Sequence, residues 1–177
     1  MITKDQIGPH PPFTDRYLAQ LPSDTDIFEL LQQQPEQLQH LLLNFSEETA
    51  EKGYAPGKWS VKEVIGHMMD TERIMAYRCL CVSRQETQSL PGFDENTYVE
   101  QANFNQRSLT NLLEEYDWQR KANLAMFRNL SPDMLNRVGT ANNYPVTAQA
   151  LVAIIAAHEL HHLNLLKERY LPVLTNR

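Results

Sequence analysis

The chain has 177 residues, 42% of them hydrophobic, with 16 Lys and Arg against 22 Asp and Glu, for a formal net charge of −6. That balance suits a water-soluble domain able to bury a core without staples. It carries no Lys/Arg block or basic stripe, so no nucleic-acid partner is expected. No apolar run approaches the ~20 residues that span a bilayer, so no membrane partner is expected either.

The first 23 residues, with Pro9, Pro11 and Pro12, read as an irregular N-terminal arm without the apolar centre of a signal peptide. From about Asp24 to Asn44 the spacing of Ile27, Leu30, Leu31, Leu38, Leu41, Leu42 and Phe45 predicts a helix, which Pro35 should kink or split. Gly53, Pro56 and Gly57 mark a connection. A second helix starts at a capping box, Ser60 with Glu63, bracketed by Trp59 and Val64 in staple positions. It runs to about Arg84 with Val64, His67, Met68, Thr71, Ile74 and Met75 inward. Cys79 and Cys81 fall on it, roughly 160° apart around the axis. A mutual disulfide is therefore poor in geometry, and the two read as free thiols of a reducing cytoplasm.

Pro91-Gly92 breaks the chain, and residues 93–105 read as a polar linker with room for one short helical turn. A third helix is predicted from about Gln106 to Asn129 on Leu109, Leu112, Leu113, Tyr116, Leu124 and Phe127. Ser131-Pro132 opens a further turn, and residues 136–146 read as a loop. Thr147 is placed to cap a last helix that runs to about Tyr170 and ends before Pro172. Four amphipathic helices with no credible strand and no repeat predict an all-α, antiparallel four-helix bundle, residues 1–177 forming one domain.

His158-Glu159-Leu160-His161-His162 is the most informative segment. His158 and His162 lie about 40° apart around the helix axis, within the apolar stripe of Leu151, Ile155, Leu165 and Leu166. His67 lies on the inward stripe of the second helix. Three inward imidazoles on two helices can hold a divalent ion and leave a coordination position open. His161, three residues from His158, competes for the pairing. The i,i+4 pair is preferred because it sits at the centre of the apolar stripe, leaving His161 beside the site as an outer-shell donor or a helix-interface residue. His10 and His40 read as surface or packing histidines. The segment also reads as H-E-x-x-H, in which a zinc protease uses the Glu as base. That reading fails, because neither a distal third ligand nor a sheet edge for an extended peptide is visible. Glu159 reads first as a flank or inter-helix residue. As the candidate catalytic group it would act as a base on metal-activated water.

With these residues assembled, the chain resembles the DinB-like superfamily, which includes the bacillithiol transferases and related thiol-dependent enzymes. The resemblance rests on Gly57-Lys58-Trp59-Ser60-Val61-Lys62-Glu63 leading into His67, and on Ala157 through His162. Glu72-Arg73 and Pro91-Gly92-Phe93-Asp94 add to it, so that it covers roughly residues 25–172. It implies an up-down-down-up bundle with zinc or nickel held at the positions of His67, His158 and His162. It further implies chemistry in which a metal-bound thiolate of a low-molecular-weight thiol attacks an electrophilic small-molecule substrate. Some relatives are described as metal-dependent hydrolases, and members often pair, so a homodimer is expected. In that frame Arg73 and Arg78 are candidates to anchor a carboxylate of the thiol, against the alternative of ion pairs with a neighbouring helix. Tyr77, Asp94 and Tyr144 are candidates for the pocket mouth. Arg73 and Tyr77 are thus the expected cofactor-binding residues. Three functions stand from the sequence: thiol transfer, metal-dependent hydrolysis, and a non-catalytic metal- or ligand-binding bundle of a stress response.

Overall fold

A computed structural model of the protein describes residues 1–174. Four long helices carry the fold: α2 (Ile27–Leu41), α4 (Val61–Ser83), α6 (Leu109–Arg128) and α8 (Ala148–Leu165). Around them lie α1 (Asp15–Leu18), α3 (Glu47–Ala50), α5 (Glu95–Ala102), α7 (Pro132–Leu135), a π-turn (Leu166–Tyr170) and α9 (Leu171–Leu174). Among the described residues no helix is long and apolar enough to cross a membrane.

Side-chain pairings give the direction of each helix. The Cys79 thiol at the end of α4 meets the Ala148 carbonyl at the start of α8, while His67 near the start of α4 meets His158 on α8. These two helices are antiparallel. Gln119 reaches the Met69 carbonyl and Asn123 reaches Glu72 further along both helices, so α4 and α6 run parallel. Arg128, at the end of α6, bonds Gln32 near the start of α2, while Leu38 late in α2 packs with Leu109 and Leu112. The result is the expected up-down-down-up four-helix bundle, the long connection between α4 and α6 running back along α4 from Phe93, beside Arg78, to Asn105, bonded to Ser60.

Several local features differ from the sequence reading. Pro35 neither splits nor ends α2, which is helical through it. Its missing N–H frees the Leu31 carbonyl, and the Arg120 guanidinium takes that acceptor at 2.8 Å. The linker holds two turns of helix rather than one, because the Asp94 carboxylate accepts from the Asn96 and Thr97 amides and starts α5. Residues expected to form a loop form a hairpin, β1 (Val138–Ala141) against β2 (Tyr144–Thr147), in the register Val138↔Thr147 and Ala141↔Tyr144. Its two-residue turn places Asn142 and Asn143 at φ 50° and 66°, a backbone that asparagine tolerates. Four-residue strands containing Gly139 and Pro145 are too short and irregular to show as period-two patterns. The last helix does not stop before Pro172: the π-turn intervenes, and Pro172 sits in the first turn of α9.

The arm is folded onto the bundle, not loose. Ile2, Ile7, Leu18 and Leu21 are buried in the core. Thr147 donates its hydroxyl to the Ile7 carbonyl and its amide to the Pro9 carbonyl, pinning the arm where α8 begins. At the other end Gly66 lets the Phe104 ring lie on the α4 backbone, where an added Cβ would come within 2.3 Å of it. Gly66→Ala is expected to cost about 1–3 kcal/mol by overpacking. A urea unfolding midpoint equal to that of the parent would contradict this packing.

Candidate metal centre

The capping box sets where α4 begins and therefore which way His67 faces. Ser60 Oγ accepts from the Glu63 amide at 3.1 Å, and Glu63 Oε2 accepts from the Ser60 amide at 2.7 Å. Seven residues on, His67 points into the bundle with the Trp59 ring against it, centroids 4.8 Å apart. His158 and His162 project from α8 to meet it. His67 Nε2 lies 3.0 Å from His158 Nε2, which lies 3.1 Å from His162 Nε2. The three rings can each offer a ligand atom to one ion.

This arrangement fits a divalent cation better than a hydrogen-bonded trio. An imidazole nitrogen has one in-plane position, filled by a proton or a lone pair. His158 Nε2 therefore cannot satisfy both neighbours, and three converging nitrogens leave at least one contact repulsive. An electrophile between them resolves the conflict. A tetrahedral ion with nitrogens at ~2.0–2.1 Å has ligand–ligand edges of about 3.3 Å, close to the observed spacings. Burial holds His67 down to about 4, although the Glu95 charge opposes this. Burial, reinforced by the neighbouring imidazoles, holds His158 and His162 well below the usual range as well. All three are thus neutral rings at pH 7, the state a metal ligand needs. His162 Nδ1 is buried without a protein partner, an unmade hydrogen bond of the kind expected at functional sites.

A cavity of about 240 Å³ opens beside His67 and His158. The arm supplies Phe13, Thr14, Arg16 and Tyr17; α4 supplies Thr71, Met75 and Arg78; Phe93, Glu95, Asn142 and Ile154 complete it. A larger groove, about 750 Å³, runs between α2 and the end of α8 past His40, Leu41 and Lys167. Among the described residues no cluster of metal-ligating groups lines it, so the chemistry, not the size, singles out the smaller cavity.

The structure brings His67, His158 and His162 together, and of the other sequence candidates only Arg78 lines the cavity beside them. Arg73 pairs with Asp70 and with Glu115 of α6, the ion-pair alternative, and does not line the cavity. Tyr77 is exposed and also outside it. Arg78, in contrast, is buried and lines it. Asp94 serves as the cap of α5, and Tyr144 stacks edge-on against Phe13 at 5.7 Å. His161 turns to the arm, its ring 5.1 Å from that of Tyr17 and its Nδ1 3.3 Å from the Gln20 amide nitrogen. His10 pairs with Asp15 on the surface. Burial pushes the Cys79 thiol up to about 12, leaving an inert core thiol.

Glu159 faces away from the cavity, into a buried polar layer that sequence reasoning missed. Arg120, 1% exposed, grips Glu72 with Nε and Nη2 at 3.0 and 2.9 Å and also pairs with Glu159. Its remaining donors reach the Leu31 carbonyl and Gln34, and Gln34 in turn donates to the Ala156 carbonyl at 2.8 Å. Burial pushes the Glu159 carboxyl up, partly offset by Arg120. The signal was present in the sequence: Arg120 sits on the apolar stripe between Tyr116 and Leu124, and Glu72 lies four residues from both Met68 and Ala76 on α4. The arm residues facing the histidines, by contrast, leave no pattern to find.

The fold and site together define a four-helix bundle with three histidines converging across two antiparallel helices. The chain belongs to the DinB superfamily, whose family profile matches residues 30–166. Among solved structures it is similar to YfiT from Bacillus subtilis, described as a probable metal-dependent hydrolase with an unusual four-helix bundle topology. The two share 18% identity and a TM-score of 0.74 over 95% of this chain and 87% of that one. No curated protein matches in sequence.

Two outcomes follow from the geometry. Arg120→Met strands two buried carboxylates and should cost about 3–5 kcal/mol, measured by chemical denaturation; Glu72→Gln in the same background should recover part of that loss. For chelator-treated protein the sign of the pH effect is fixed by the imidazoles. Unfolded, His67 takes a proton below about 6.5; folded, not until about 4. The unfolded chain therefore binds more protons in that window, and stability should fall as pH drops through it. His67→Asn should flatten that slope in pH-dependent melts.

Proposed function

We propose that this protein is a metal-dependent enzyme that transfers a low-molecular-weight thiol to an electrophilic small molecule. The observation that carries the reading is the convergence of three neutral imidazole nitrogens, two of whose rings, His67 and His158, line a cavity. His67, His158 and His162 would hold a divalent ion, zinc or nickel being suited to this donor set. When bound there, an ion with three neutral ligands keeps its 2+ charge and lowers the pKa of a coordinated thiol or water.

The chain's own groups supply the rest. Phe13, Tyr17, Met75, Phe93 and Ile154 form apolar walls that limit water beside the histidines. Thiol transfer forms a carbon–sulfur bond as the bond to the leaving group breaks, and the thiol proton must go elsewhere. Glu95 is the carboxylate facing the cavity and is the group we assign to accept it. Glu159, committed to Arg120, holds α8 in register with α4 and acts on the ligands only by positioning them.

Hydrolysis is the second reading, favoured by the description of YfiT as a probable metal-dependent hydrolase. It would use the same histidines, with Glu95 accepting a proton from water.

The untagged protein is expected to carry about one divalent ion per chain. His67→Ala and His162→Ala should each weaken metal binding by more than the ~10–100-fold typical of outer-shell changes, with the fold retained by circular dichroism. With metal bound, loss of a model electrophile should require added thiol; metal-dependent loss without thiol would favour hydrolysis. A parent protein that takes up neither zinc nor nickel would overturn both readings.

A further inference from the structure

We propose that the cavity beside the histidines selects a small substrate bearing a carboxylate, which it seats on the Arg78 guanidinium. This inference rests on the cavity being the active site and adds the class of molecule it admits.

Three cations are buried among the described residues, and two are neutralised in place. Lys62 pairs with Glu47 and Glu51 at 2.8 Å, and Arg120 with Glu72 and Glu159. Arg78, 6% exposed, forms no ion pair among the described residues. Its partners are the Pro91 carbonyl, the Met75 sulfur at 3.6 Å and the Phe93 ring 5.9 Å away, none of them charged. A buried guanidinium without a counter-charge is costly, and this one faces a cavity. Its planar fork matches a carboxylate with two parallel hydrogen bonds.

A second observation points the same way. Thr71 Oγ1 is buried, lines the same cavity and has no hydrogen-bond partner. His67, Thr71, Met75 and Arg78 follow one stripe of α4, and Arg78 reaches back toward the helix N-terminus, as its contact with Met75 shows. The stripe thus orders a reacting end at His67, a hydroxyl for a second polar atom at Thr71, and an anion site at Arg78. The other charged groups facing this space are Arg16 and Glu95, so its fixed charge is net positive with neutral histidines. The cavity is smaller than the ~300–1,000 Å³ typical of sites for drug-sized ligands. A short-chain carboxylate fits it, and a single buried arginine suits a monoanion better than a doubly charged phosphate.

The test uses hexanoate and hexanamide as probes, with affinity measured calorimetrically on metal-loaded and chelator-treated protein. Hexanoate should bind both forms at least about tenfold more tightly than the amide. Arg78→Met should lose about 10–100-fold for the carboxylate, with metal content unchanged and amide binding little altered. Arg78→Lys, which keeps the charge if the Met variant unfolds, should recover part of the affinity. Hexanoate binding that is indifferent to Arg78 and vanishes with the metal would place the carboxylate on the ion and overturn the proposal. Absent hexanoate binding with metal uptake intact would also overturn it, leaving the metal reading standing. Arg78-dependent binding in a protein that takes up no metal would support the anion site while the metal reading fails.

Discussion

The bundle is organised around one guanidinium. Arg120, with Glu72, Glu159 and Gln34, forms a polar layer between two apolar clusters, one centred on Ile27, Phe127 and Ile154, the other on Leu38, Ile65 and Leu112. A layer of this kind contributes little net stability, because desolvating three charges offsets their attraction. What it imposes is register. Sliding any of α2, α4, α6 or α8 along its neighbour leaves a buried charge or amide without its partner, so the four helices meet at one level. Pro35 belongs to this device: by removing a helical donor it presents a carbonyl that the guanidinium needs.

The histidine centre inherits its geometry from that layer. Glu159 follows His158 directly in the chain, and Glu72 lies five residues beyond His67. The clamp therefore fixes α4 and α8 against one another within about a turn and a half of every ligand. Around it the environment changes sharply. On the clamp side the charges are paired; on the cavity side the imidazoles are neutral and, among the described residues, one buried arginine has no carboxylate partner. That asymmetry separates the groups that hold the fold from those free to meet a ligand.

Much of this was legible in the sequence, and the reasons for the failures are physical. The helix starts were readable because capping at Ser60 and Thr147 is local chemistry. The three histidines were readable because inward stripes and i,i+4 spacing are properties of single helices. For Glu159 the first reading, an inter-helix residue, holds, but its angle on α8 alone could not identify Arg120 of α6 as the partner. Arg73 and Arg78 looked alike along the chain and differ because one faces Glu115 and the other faces the cavity. The hairpin escaped because its strands are four residues long. The arm's contribution escaped because Arg16 and Tyr17 reach the site through tertiary folding alone.

The tie between the arm and α8 bears on the order in which the site is assembled. Thr147 with Ile7 and Gln149 with Gln6 join positions 140 and 143 residues apart, and His67 and His158 are separated by 91. Contacts so distant in sequence require large loops to close before they are rewarded. The histidine pair on α8 exists as soon as that helix forms, but the third nitrogen and the arm's wall arrive only with docking. Until α4 and α8 dock, the chain offers at most the two nitrogens of one helix, and the three-nitrogen centre belongs to the finished fold.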